Sequence, residues 1–176
     1  MATLLQIAQL GHPVIRQKAK QVERFEDPKI QTLVDDLIAT VMDVNGVGIA
    51  APQVYESLRL FIMASHPNPR YPKAPDMEPT AIINPKIISH SRSKEKDWEG
   101  CLSIPGIRAL VPRYKWVKVQ YCDRQGKKVI QTYTDFLARI FQHESDHLDG
   151  IIFLDRLENM QEVMTEKEYL KVVAKL

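Results

Sequence analysis

The segment Gln142-His143-Glu144-Ser145-Asp146-His147 constrains this chain more than any other. His143 and His147 stand four residues apart, which on a helix places both imidazoles on one face, one turn above the other. Phe136, Ile140 and Phe141 precede the pair and Leu148, Ile151 and Ile152 follow it, so the helix that carries them is largely buried. Two buried imidazoles and a carboxylate in apolar surroundings need partners. One divalent cation satisfies both rings, and Glu144, next to the first ring, then reaches a water on that ion. The chain must therefore wrap layers around this helix and supply a further ligand.

A third protein ligand is required, with the fourth position left to water in a catalytic site. The pattern with a third histidine six residues after His147 fails, because that position is Phe153. Glu158 follows too closely to return as a ligand on a second helix. Cys101 is the better candidate. It sits in Trp98-Glu99-Gly100-Cys101-Leu102-Ser103-Ile104-Pro105-Gly106, where small and turn-forming residues let a backbone approach a metal closely. Cys122 has no motif around it and reads as structural. Gly46-Val47-Gly48-Ile49-Ala50-Ala51-Pro52-Gln53 completes the polar set. Four of the seven glycines fall in this segment and the Cys101 loop, which permits a bound main chain to run close to the protein's own. Gln53 can donate its amide to a developing oxyanion, although taken alone it reads as a surface amide.

Residues 27–45 read as the first strong helix, with Asp27 as N-cap, Pro28 at its first position and Asn45-Gly46 at its end. Ile30, Leu33, Val34, Leu37, Ile38, Val41 and Met42 form its apolar face. Residues 58–64 read as a strand, and 65–79, with five of the eleven prolines, as a surface loop. Residues 80–90 give another strand, where Pro85 implies an edge or a bend. Val117, Val119 and Tyr121 mark a half-buried strand that turns through Asp123-Arg124-Gln125-Gly126 into a hairpin with 127–133. Residues 135–148 form the second helix, Gly150 stops it, and Ile151 to Leu154 read as a last short strand. Thr165-Glu166-Lys167-Glu168 is a capping box that opens a C-terminal helix carrying Tyr169, Leu170, Val172, Val173 and Leu176. The expected class is α+β, a mostly antiparallel sheet packed around the histidine helix, with an N-terminal and a C-terminal helix, all in one domain over 1–176.

Composition removes several function classes. A net charge of +2 from 24 basic and 22 acidic residues excludes a histone-like nucleic-acid binder. No sequence-specific nucleic-acid contact is expected. No apolar run approaches the roughly 18 residues of a membrane span, and the N-terminus lacks the charged region of a secretory signal. Two cysteines in 176 residues make no disulfide framework, which fits a reducing cytoplasm, with a processed organellar form as the alternative.

Three of these segments together resemble the peptide deformylase family: the G-x-G-x-A-A-x-Q loop at Gly46 to Gln53, the E-G-C-L-S loop at Glu99 to Ser103, and the Q-H-E-x-D-H-L-x-G helix at Gln142 to Gly150. Order and approximate spacing match as well, over about residues 5–157, including Gly11-His12-Pro13. The resemblance implies removal of the formyl group from the N-terminal formyl-methionine of new proteins, releasing formate. It implies Cys101, His143 and His147 as ligands of one divalent ion, Fe2+ physiologically, with Zn2+, Ni2+ or Co2+ able to replace it. It implies Glu144 as general acid and base, with Gln53 and the backbone N–H of Leu102 on the formyl oxygen. Geometry adds an apolar slot for methionine walled by Phe136, Arg139, Ile140 and Val47, with a solvated Arg139 as the alternative. An extended peptide would add to a sheet edge near Val47, Gly48 and Gly100. Glu99 is expected to orient Gln53 or to pair with Arg113, and Asp146 to bond an imidazole or a helix partner. The 65–79 loop is expected to border the cleft. Lys167, Lys171 and Lys175 are candidates for transient ribosome contact, with a solvated amphipathic helix as the simpler account. A zinc peptidase and a non-catalytic ribosome-binding module are the competing readings.

Overall fold

The computed structural model describes residues 2–172. The N-terminal arm lies on the first helix, α1 (Pro28–Asp43), where Asp36 accepts from the Thr3 N–H and the Thr40 hydroxyl from the Leu5 N–H. The Asp27 side chain caps α1 by accepting from the Lys29 N–H at 2.9 Å, and Pro28 occupies the first turn, as the sequence implies. Val34, Leu37 and Val41 are its buried residues of the expected apolar face. The helix stops two residues short of Asn45, which turns the chain with a φ of 51°.

Five antiparallel strands form one sheet in the order β1-β2-β3-β6-β7: β1 (Gly48–Ala50), β2 (Leu60–Met63), β3 (Thr80–His90), β6 (Trp116–Cys122) and β7 (Lys128–Thr134). The alternation in β6 is as expected, with Val117, Val119 and Tyr121 buried. Of the two readings of Pro85, the bend holds and the edge does not. β3 lies between β2 and β6, and the chain accommodates the proline with a register shift between Ile83 and Lys86 and a left-handed Asn84. The Asn84 amide pairs with both backbone groups of Val22, which ties the bulge to the segment before α1.

A second sheet has the order β4-β5-β8: β4 (Lys94–Cys101), β5 (Ile104–Tyr114) and β8 (Val163–Thr165). The sequence did not mark β4 and β5 as strands. β4 opens on four exposed charged residues and β5 contains Pro105, Gly106 and Pro112, so neither shows an apolar alternation. Ile151 to Leu154 is not a strand either. A 3₁₀ turn at Phe153–Arg156 follows Gly150, held by the Asp155 carboxylate on the Ile152 N–H, and it buries Phe153. The last strand is β8, twelve residues further along.

The histidine helix, α2 (Asp135–Leu148), packs against strands of both sheets, and the fold is the expected mostly antiparallel α+β arrangement around it. The short helix α3 (Glu166–Val172) follows β8, with the Glu168 N–H on the Thr165 hydroxyl as the capping box requires. Tyr169 of α3 packs edge-on to Trp98 of β4 at 5.3 Å. Val173, Lys175 and Leu176 lie outside the described residues. No helix among the described residues is long and apolar enough to cross a membrane.

Candidate metal centre and substrate pocket

α2 presents His143 and His147 from consecutive turns, and the turn that joins β4 to β5 brings Cys101 against them. The ligand atoms of these three residues all lie within 4.8 Å of one another, with Cys101 Sγ at 3.3 Å from His147 Nε2. A thiolate and two imidazoles are a donor set for one divalent transition ion. Burial holds His147 well below its ordinary pKa, which leaves it in the neutral, ligating form.

A buried ionic network sets the orientation of His143. Burial opposes the charge on Glu99, but the Arg113 guanidinium and the His143 hydrogen bond hold its carboxyl well below the usual range. An ionised carboxylate only accepts. His143 Nδ1 therefore donates to Glu99 Oε2 at 2.9 Å, which leaves Nε2 as the ring atom on the ligand side. Arg113 grips both Glu99 oxygens at 2.9 and 3.0 Å and reaches Asp146 with Nη1. Arg156 holds Asp146 from the solvent side through two bonds. Glu99 thus pairs with Arg113, and Gln53 is not among its partners. Asp146 bonds two arginines rather than an imidazole.

Glu144 is 4% exposed, and its Oε2 has no hydrogen-bond partner among the described residues. Burial pushes its carboxyl up to about 7. Gly48 makes room for it: a Cβ there would lie 2.5 Å from Glu144 Oε1. A buried carboxylate oxygen without a partner, beside a metal-ligating triad, is a site for a proton or a polar reactant. Gln53, far from being a surface amide, is 2% exposed. The Ala50 N–H fixes its Oε1 at 2.8 Å. Its Nε2 lies 3.1 Å from Ser103 Oγ and 3.5 Å from Cys101 Sγ, so the amide N–H group points at the metal site.

A pocket of about 170 Å³ opens over these groups. Val47, Gly48, Gly100, Leu102, Phe136, Arg139 and Ile140 all line it, together with Gln53, Cys101, His143 and Glu144. Arg139 differs from its expected role as an apolar wall. Its guanidinium donates to Glu99 and to the carbonyls of Val111 and Glu95, which ties α2 to β4 and β5. The apolar wall near it is Ile140 and Phe136, the latter packed on Tyr71 at 5.0 Å. Tyr71 and Arg70 bring the proline-rich loop to the rim, as expected of a loop bordering the cleft. Arg108 and Glu166 also line the pocket, and the sequence did not single them out. β1 is an edge strand, and its Gly48 lines the same pocket.

The comparisons agree with this geometry. A sequence model of the polypeptide deformylase family matches residues 4–163. The chain is 62% identical over 172 residues to peptide deformylase 2 of Nostoc sp., covering 98% of this chain and 96% of that protein. The crystal structure of a Met-Ala-Ser-bound class I type b peptide deformylase from Acinetobacter baumannii superposes with a TM-score of 0.86 at 43% identity, covering 89% of this chain and all of that one. A peptide deformylase from Synechococcus elongatus in complex with actinonin superposes with a TM-score of 0.80 at 36% identity, over 97% of this chain and 87% of that one. The chain belongs to the polypeptide deformylase family.

Proposed function

We propose that the chain removes the N-formyl group from the N-terminal formyl-methionine of newly synthesised proteins by metal-assisted hydrolysis, releasing formate. The observation that carries the mechanism is the unpartnered, buried Glu144 oxygen beside Cys101, His143 and His147. These three residues would hold the ion, and their chemistry fits it. A bound divalent cation supplies Lewis acidity and lowers the pKa of water. We assign Fe2+ to the working enzyme, with Zn2+, Ni2+ and Co2+ compatible with the same thiolate and imidazole donors.

The residues of the chain do the rest. The substrate's main chain runs along the free edge of β1 by Val47 and Gly48, opposite Gly100, and so is read without regard to most of its side chains. The methionine side chain enters between Ile140, Phe136 and Val47. Glu144 accepts a proton from water as its oxygen attacks the formyl carbon. The amide of Gln53 and the N–H of Leu102 hold the oxyanion of the tetrahedral intermediate, and one such donor is typically worth about 2.7–4 kcal/mol. Glu144 then delivers its proton to the departing methionine nitrogen, and the C–N bond breaks to give formate and a free N-terminal amine. His143 stays fixed by Glu99 throughout.

Mass spectrometry of products from formyl-Met-Ala-Ser tests this reading against the peptidase one. The expected product is Met-Ala-Ser with both peptide bonds intact and one formate per peptide. Cleavage between Met and Ala would contradict it.

A further inference from the structure

α2 has a second polar face. Ile140, His143 and Glu144 line the metal pocket, whereas Gln142, Ser145, Asp146 and Asp149 line a separate cavity on the opposite side of the helix. No described residue lines both. The second cavity has a volume of about 380 Å³, and deformylation makes no use of it.

Its charge is one-sided. Arg59, Lys86, Lys94, Arg113 and Arg156 line it, against two carboxylates, Asp146 and Asp149. Both carboxylates are already committed to guanidinium groups. Arg113 and Arg156 donate to Asp146, and Arg59 donates to Asp149 at 2.7 Å. Lys86 and Lys94 are left over, for neither forms an ion pair among the described residues. Lys94 Nζ instead rests 5.2 Å from the centroid of the Tyr114 ring, which is itself part of the cavity wall. Arg113 adds a buried donor. A guanidinium carries five N–H groups. Arg113, at 4% exposure, gives three hydrogen bonds to Glu99 and Asp146 and has no other acceptor among the described residues.

These cations come from separate segments: Lys86 from β3, Lys94 from β4, Arg113 from β5 and Arg156 from the 3₁₀ turn. Donors that arrive from different directions suit the several oxygens of a tetrahedral dianion better than the single plane of a carboxylate. Pro85, Ile87 and Pro112 supply an uncharged part of the wall. The volume exceeds what a bare phosphate fills and falls in the range of about 300–1,000 Å³ that holds small organic ligands.

We propose that this cavity is a binding site for a small organic phosphate, with the phosphate on Lys86, Lys94 and Arg113 and the organic part on Pro85, Ile87 and Pro112. Glu99 keeps both of its bonds to Arg113 when the site fills, so His143 stays oriented and deformylation proceeds unchanged.

The test is isothermal titration calorimetry of the full, metal-loaded chain with phenyl phosphate, with phenol as the uncharged control. Phenyl phosphate should bind at one site per chain at low salt, and phenol should give no binding heat. In 1 M NaCl, where the screening length is about 3 Å, the affinity should fall several-fold. The double variant Lys86→Glu, Lys94→Glu should weaken binding by about tenfold or more, as expected when two exposed attractive charges become repulsive. Both lysines are exposed, and formate release from formyl-Met-Ala-Ser by the variant should match the wild type. Phenyl phosphate at saturation should leave KM for that peptide unchanged in the wild type. Absence of phenyl phosphate binding up to 10 mM would overturn the proposal, as would equal binding of phenol. Equal affinity in the double variant would overturn it too. So would a KM that rises in proportion to phenyl phosphate, which would place the anion at the metal rather than behind α2.

Discussion

Glu144→Gln is expected to lower kcat for formate release from formyl-Met-Ala-Ser by about 10²–10⁴-fold, the range a positioned acid and base contributes. Metal content should stay at one ion per chain, because Glu144 is not one of the three converging ligands. The substitution keeps the volume that fits against Gly48 while removing a group that can carry a proton to and fro. Steady-state kinetics with metal analysis of the same sample checks both halves. Loss of metal together with activity would mean that Glu144 shapes the ligand set. Retention of full activity would remove it from the reaction.

The largest stability effect is expected at Arg113. Its guanidinium is 5% exposed and spans two buried carboxylates, Glu99 and Asp146. Arg113→Met leaves Glu99 with only Arg139 and His143, and leaves Asp146 with Arg156 alone. Removing one partner of a buried ionic pair costs about 3–5 kcal/mol, because the remaining charge cannot return to water. In a protein of this size that corresponds to roughly 6–20 °C in Tm. Calorimetry of the wild type and the variant measures it. Adding Asp146→Asn to Arg113→Met should cost less than the sum of the two single changes, since each removes a partner of the other. An unchanged Tm in Arg113→Met would show that the network is solvated and that Glu99 needs no cation to stay ionised.

The legible and the illegible parts of this chain divide along physical lines. The histidine pair, Glu144 and Cys101 could be read because ligand chemistry restricts residue type and spacing far more than packing does. α1 was legible down to its cap, since Asp27 and Pro28 act locally. The strands β4 and β5 were not, because what makes them strands is each other. Glu95 pairs with Arg113 and Trp98 with Leu110 across a ladder whose single-strand patterns are charged or broken by proline. Pro85 marked the bend but not what holds it: the Asn84 side chain pairs with the backbone of Val22, 62 residues away in sequence. Arg139 looked like part of an apolar helix face, and its burial is real, but its charge is carried by Glu99 and strand carbonyls that no helical periodicity reveals. Arg108 and Glu166 meet across 58 residues and belong to no spaced motif. Contacts of that kind come only from the folded chain.

The central claim is that a single ion held by Cys101, His143 and His147 works with Glu144 on the formyl group. Its most direct test is formate release by metal-free protein titrated anaerobically with Fe2+. Activity should start near zero, rise linearly and level off at one ion per chain, with Cys101→Ala giving no rise over the same range. Full activity without added metal, or a plateau reached only at two ions per chain, would contradict the account.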